Sequence, residues 1–154
     1  MNVNRREFIK KSLTLSAYTA TSPLLFSGRL AQADWVPENF APSILDETLR
    51  RLFNESKIIE TDKIYLQLPK TAEKGAAIAI TVTSSIVGVS KISILVEQNL
   101  VPLAACFELS PELDGYVTAR LNIEKTSYVF AIVETQNHIY SSPKATVKIA
   151  AASC

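Results

Sequence analysis

Glycine is scarce in this chain, with Gly28, Gly75, Gly88 and Gly115 only. No GxGxxG or GxxxxGKS/T loop can be assembled from them, which excludes nucleotide binding through a glycine-rich phosphate cradle. Histidine is scarcer still: His138 is the single one. A Ser-His-Asp or Cys-His device would have to run through it, and its place beside the turn residues Gln136-Asn137 reads as a solvated hairpin shoulder. A structural zinc site takes about four ligands, and two cysteines with one histidine, far apart in sequence, do not supply them. Carboxylates fall singly on polar strand faces and turns. Glu108 and Glu112 flank a turn with nothing to mark them as an acid/base pair. The expectation is no catalytic residue, no metal and no cofactor. Long apolar runs are also missing. Nothing reaches the ~20 consecutive apolar residues of a membrane span, so the body of the protein should not enter a membrane.

The near-neutral charge of +1 conceals an asymmetry. Residues 1–33 carry Arg5, Arg6, Lys10, Lys11 and Arg29 against Glu7. Without them the chain keeps 11 basic and 14 acidic residues, a charge near −3. A mildly acidic domain has no electrostatic footprint for nucleic acid or anionic lipid. The first 33 residues read as an address. Asn4-Arg5-Arg6-Glu7-Phe8-Ile9-Lys10 resembles the twin-arginine export signal, with Arg5, Arg6 and Phe8 as its marks. A moderately apolar stretch, Leu13–Phe26, follows, and Ala31-Gln32-Ala33 supplies the small-x-small cleavage site. The mature chain is therefore expected to start at Asp34 and to be periplasmic. The twin-arginine route carries folded cargo. A small domain with no cofactor motif has little need to fold first, unless it carries a bound second subunit out with it.

Residues 34–62 read as a lead-in and one helix. Asp34–Pro42, with Trp35, Pro37 and Pro42, should be extended. Ser43–Glu55 should be helical, with Ser43 as N-cap, Asp46 in the capping-box position, and an apolar stripe of Ile44, Leu45, Leu49, Leu52 and Phe53. From Lys63 the apolar period changes to two. Strands are expected at Ile64–Leu68, Ala77–Thr83, Val89–Glu97, Ala104–Leu109, Tyr116–Ile123, Tyr128–Glu134 and Ile139–Ile149, the last with a break at Pro143. Core-facing positions include Ile64, Leu66, Leu68, Phe107, Leu109, Val129 and Ala131. About seven short strands separated by turn signals, over residues 63–149, predict an all-β, immunoglobulin-like antiparallel sandwich preceded by one α-helix.

The two cysteines differ in setting. Cys106 lies inside a strand, on the face opposite Phe107 and Leu109, where a structural role is expected. Cys154 follows a small-residue tail, Ala150-Ala151-Ala152-Ser153. With the strand ending at Ile149, residues 150–154 form an arm reaching at most ~17 Å, long enough to enter another protein's cleft. A substrate passed among several enzymes needs such a tethered, accessible nucleophile.

At this point the pattern resembles the SoxY family, the sulfur carriers of the periplasmic thiosulfate-oxidation system. The resemblance rests on the twin-arginine leader and on the helix before the sandwich. It also rests on the segment Val101-Pro102-Leu103-Ala104-Ala105-Cys106-Phe107-Glu108-Leu109-Ser110-Pro111 and on the cysteine tail. It implies a covalent sulfur carrier, not an enzyme, with thiosulfate-derived sulfur attached to Cys154 on the arm Ala151, Ala152, Ser153. It implies a heterodimer with a smaller sandwich subunit, SoxZ, and visits from periplasmic sulfur-oxidising enzymes that include a haem cytochrome. The family's arm is usually Gly-Gly-Cys-Gly-Gly, and here alanine and serine precede the cysteine. Two other readings stay open on the residues alone: a periplasmic sandwich that only binds a partner, and a Cys106–Cys154 disulfide.

Overall fold

The computed structural model describes residues 36–110 and 112–150. The leader with Arg5, Arg6 and Phe8, the Ala33–Asp34 junction, Trp35, Pro111 and the arm Ala151–Cys154 lie outside the described residues.

The lead-in is not extended throughout: Pro37–Phe40 makes a short 3₁₀ turn, with proline at its start where its fixed φ suits a helical turn. Helix α1 follows, Leu45–Phe53. Its cap corrects the sequence reading. Ile44 holds the N-cap position and makes no side-chain cap bond. Ser43 instead places its hydroxyl 2.7 Å from that of Thr48, and the buried Thr48 hydroxyl also donates to the Ile44 carbonyl. A hydroxyl partner inside the first turn has outcompeted the backbone amides. The start shifted by two residues also takes Ile44 off the buried stripe, leaving it 69% exposed. Leu45, Leu49, Leu52 and Phe53 do pack inward. Asn54 ends the helix in the left-handed region, which asparagine tolerates, and its N–H closes on the Arg50 carbonyl at 2.9 Å.

Among the described residues ten strands follow: β1 Ile58–Glu60, β2 Ile64–Gln67, β3 Thr71–Glu73, β4 Ala77–Ser84, β5 Val89–Val96, β6 Leu103–Glu108, β7 Gly115–Asn122, β8 Ser127–Thr135, β9 Ile139–Ser141 and β10 Ala145–Ala150. They build a two-sheet sandwich of the expected immunoglobulin-like kind. The small sheet runs β2-β4-β7, antiparallel throughout. In the large sheet β8 is central. It pairs β5 on one side, with β6 beyond, and β9 and β10 share its other side. The break at Pro143 separates β9 from β10. Ser142 bridges it, exchanging its backbone N–H and its hydroxyl with the backbone of Ala131. β1 and β3, not expected from sequence, add in parallel to β9 and β10.

Residues facing between the sheets form the main core, led by Ile80, Val82, Ile92, Ile94, Val129, Ala131, Val133 and Val147. Of the core positions read from sequence, Ile64, Val129 and Ala131 are buried there, and Leu66, Leu68, Phe107 and Leu109 pack against it. The alternate residues Leu95, Phe130 and Ile132 are also buried, because α1 lays Phe53 and its leucines over them. That second layer is why β5 and β8 read as continuous apolar runs.

Candidate functional site

The strand that leads to Cys154 is held to its last residue. β10 ladders first with β8, from Ala145↔Val129 to Val147↔Ser127, then in parallel with β3, from Lys148↔Thr71 to Ala150↔Glu73. Where the β8 ladder stops, the Ile149 N–H donates to Thr126 Oγ1 at 3.0 Å, and the Lys148 N–H donates to the Lys70 carbonyl at 2.9 Å. Ala150 therefore belongs to the strand and not to the arm. Cys154 stands four residues beyond it, so its reach from the sheet is at most about 13–14 Å, shorter than the sequence estimate.

Thr126 sits in the β7–β8 loop, which is itself tied down. Asn99 donates through its side-chain amide to the Asn122 carbonyl at 3.0 Å and accepts the Glu124 N–H at 3.1 Å. The Gln98 N–H donates to Ser127 Oγ at 3.0 Å. The Ser43 N–H reaches the Leu100 carbonyl at 3.2 Å, bringing the start of α1 to the same place. One end of the sandwich thus gathers the end of β10, the β5–β6 turn, the β7–β8 loop and the entry of α1. A groove of about 840 Å³ opens there. Sequence reasoning singled out Cys154, which lies outside the described residues, and gave no sign of this setting. Asn99 and Thr126 act across long sequence separations, and β3 is too short to show a period.

The other candidates stand apart. Cys106 is an exposed free thiol on β6, paired across from Ser93, whose buried hydroxyl donates to its sulfur at 3.7 Å. Beside it Lys91 and Glu108 approach to 3.9 Å. Glu134, across the ladder from Lys91, has its carboxyl held above the ordinary range by burial, opposed by Lys91 and reinforced by Glu108. His138 is exposed in a tight turn where Thr135 takes its backbone N–H at 3.1 Å, with its ring 5.9 Å from that of Tyr140. Among the described residues no group of three or more His, Cys, Asp and Glu side chains could hold a metal, and no helix is long and apolar enough to cross a membrane.

These features define an immunoglobulin-like sandwich with a helix on one face and a last strand clamped through Ala150. The sequence matches the family of the sulfur oxidation protein SoxY over residues 49–154. The fold is similar to the sulfur carrier protein SoxY from Chlorobium limicola f thiosulfatophilum. The TM-score is 0.63 and the identity 30%, over 69% of this chain and 96% of that one. The chain belongs to the SoxY family. A superoxide reductase (neelaredoxin) from Ignicoccus hospitalis has a TM-score of 0.54 at 12% identity, over 60% of this chain and 95% of that one, a likeness of fold alone. No curated protein matches the sequence significantly.

Proposed function

We propose that this protein is a sulfur carrier, not a catalyst, that holds thiosulfate-derived sulfur covalently on Cys154. Family membership carries the reading, and the clamped root of the arm supports it. A carrier must present one thiol to several enzymes while its own body stays fixed. Loading joins the cysteine sulfur to the outer sulfur of thiosulfate. It yields Cys–S–S–SO₃⁻, one proton and two electrons, and the electrons pass to a haem cytochrome partner. Only the thiolate attacks, and an ordinary thiol with pKa of about 8.5 is a few per cent ionised near neutrality. Loading therefore needs the oxidising partner and does not proceed with thiosulfate alone. The arm is Ala151, Ala152 and Ser153. The protein works in the periplasm after twin-arginine export, paired with a SoxZ-like sandwich subunit.

Cys106 is the internal control. It is exposed but fixed in the β5–β6 ladder opposite Ser93, so it cannot enter a cleft. Cys154→Ser and Cys106→Ser chains, each incubated with thiosulfate and a periplasmic extract of the source organism, should differ in intact mass. Adducts should vanish in the first and persist in the second. A Cys154→Ser chain that keeps its adducts overturns the assignment.

A further inference from the structure

Resting on the carrier reading, we infer that the arm end of the sandwich is a docking face, with Ile44 and Leu100 as its apolar seat. Its partner is an enzyme whose cleft has a basic rim.

The argument begins with the tether. β10 is laddered through Ala150, and four residues reach at most about 13–14 Å. An enzyme that draws Cys154 into a catalytic cleft spends most of that length inside itself. Its surface must then lie against the loops around the strand end. Those loops are pinned: Asn99 ties the β5–β6 turn to Asn122 and Glu124, and Thr126 ties the β7–β8 loop to Ile149. The face is therefore built before the partner arrives, and little ordering is left to oppose binding.

Its chemistry says what fits. Ile44 is 69% and Leu100 64% exposed, and both line the same groove, where the Ser43 N–H bonds to the Leu100 carbonyl. Around them the groove carries Asp46, Glu47, Glu97 and Glu124 with Lys125 and Lys144. Glu97 is paired with Lys144 at 3.1 Å and Glu47 with Arg51 at 3.7 Å, so Asp46 and Glu124 carry the charge left for a partner, against Lys125. An apolar centre beside those two carboxylates matches an apolar patch fringed by lysine or arginine. A cleft basic enough for those carboxylates also suits the sulfonate of the proposed adduct.

The test uses the mature chain carrying Cys106→Ser, so that Cys154 is the thiol read. Ile44→Glu and Leu100→Glu should each slow loading by thiosulfate and periplasmic extract at least about tenfold, by intact mass over time. Reaction of Cys154 with a small aromatic disulfide should stay at the parent rate, since the thiol itself is untouched. Val87→Glu, on a 93% exposed side chain in the β4–β5 turn at the opposite end, should load normally. Inserting about ten Gly/Ser residues after Ala150 should shrink the Leu100→Glu penalty, because a longer tether needs no adjoining surface. The inference is overturned if the Glu variants load like their parent, if Val87→Glu slows loading equally, or if the long arm leaves the penalty intact. A parent chain that never loads overturns the carrier reading and the docking face together, an outcome distinct from those three.

Discussion

Glu134 is a residue whose charge the fold works against. Burial favours its neutral form, Glu108 adds to that, and Lys91 offsets part of it. The folded chain thus keeps this proton to a higher pH than the unfolded chain does. Between the ordinary carboxylate value and the raised one, the folded state binds more protons, so stability falls as pH rises through that window. Glu134→Gln removes the ionisation at little change of shape. Its melting temperature should exceed that of the parent at a pH above the raised value, and match it near pH 3, below both values. Equal shifts at the two pH values would show that the effect is packing and not charge. Cys154 and Glu134 differ in how a sequence can point to them. A cysteine after a run of small residues can be singled out from sequence alone, and Cys154 lies outside the described residues. A half-buried glutamate is recognisable only once β6, β5 and β8 have set Glu108, Lys91 and Glu134 in one cross-strand row.

At the scale of elements, α1 is a roof over β5 and β8 and contributes the second hydrophobic layer. Phe53 is 5% exposed, against Leu95, Phe130 and Ile132. Phe53→Ala should cost about 3 kcal/mol, the lower end for a buried phenylalanine, because a site at the edge of the sandwich can partly collapse. A fall in the urea midpoint with an unchanged slope would record this, and a loss below about 1 kcal/mol would mean that the helix is not a structural part of the domain. The seven longer strand segments were legible because their periods persist over four or more residues. β1 and β3 were not, since three residues such as Thr71-Ala72-Glu73 carry no period and a parallel partner leaves no turn signal. The N-cap failed for a local reason. Ser43 found Thr48, five residues on, as a hydroxyl partner, and sequence spacing cannot rank that bond against an amide cap. The arm's root escaped notice because its clamps, β3 and Thr126, approach from far along the chain.

For the whole molecule, the two sheets are unequally covered. The outer face of the large sheet lies partly under α1, whereas the small sheet leaves Tyr65 67% and Tyr116 58% exposed. Tyr65, Thr83 and Tyr116 share one row of its outer face, and Gln67, Thr81 and Thr118 the next, with the Thr81 and Thr118 hydroxyls 3.0 Å apart. These two rows carry no charge, and exposed tyrosine without charge is the composition of a protein interface core. This face is where the proposed SoxZ-like subunit is expected to sit, away from the arm end, so that pairing and enzyme docking do not compete. A subunit bound there before export would also account for the folded-cargo leader proposed for so small a domain. Sedimentation at micromolar concentration should show the mature chain and a SoxZ-like subunit as a one-to-one complex. Tyr65→Glu with Tyr116→Glu should weaken it at least about tenfold, or about 1.4 kcal/mol, while the circular dichroism of the chain stays unchanged. A chain that sediments as a monomer with or without that subunit would remove the heterodimer. Undiminished binding by the double variant would keep the heterodimer and move it off this face.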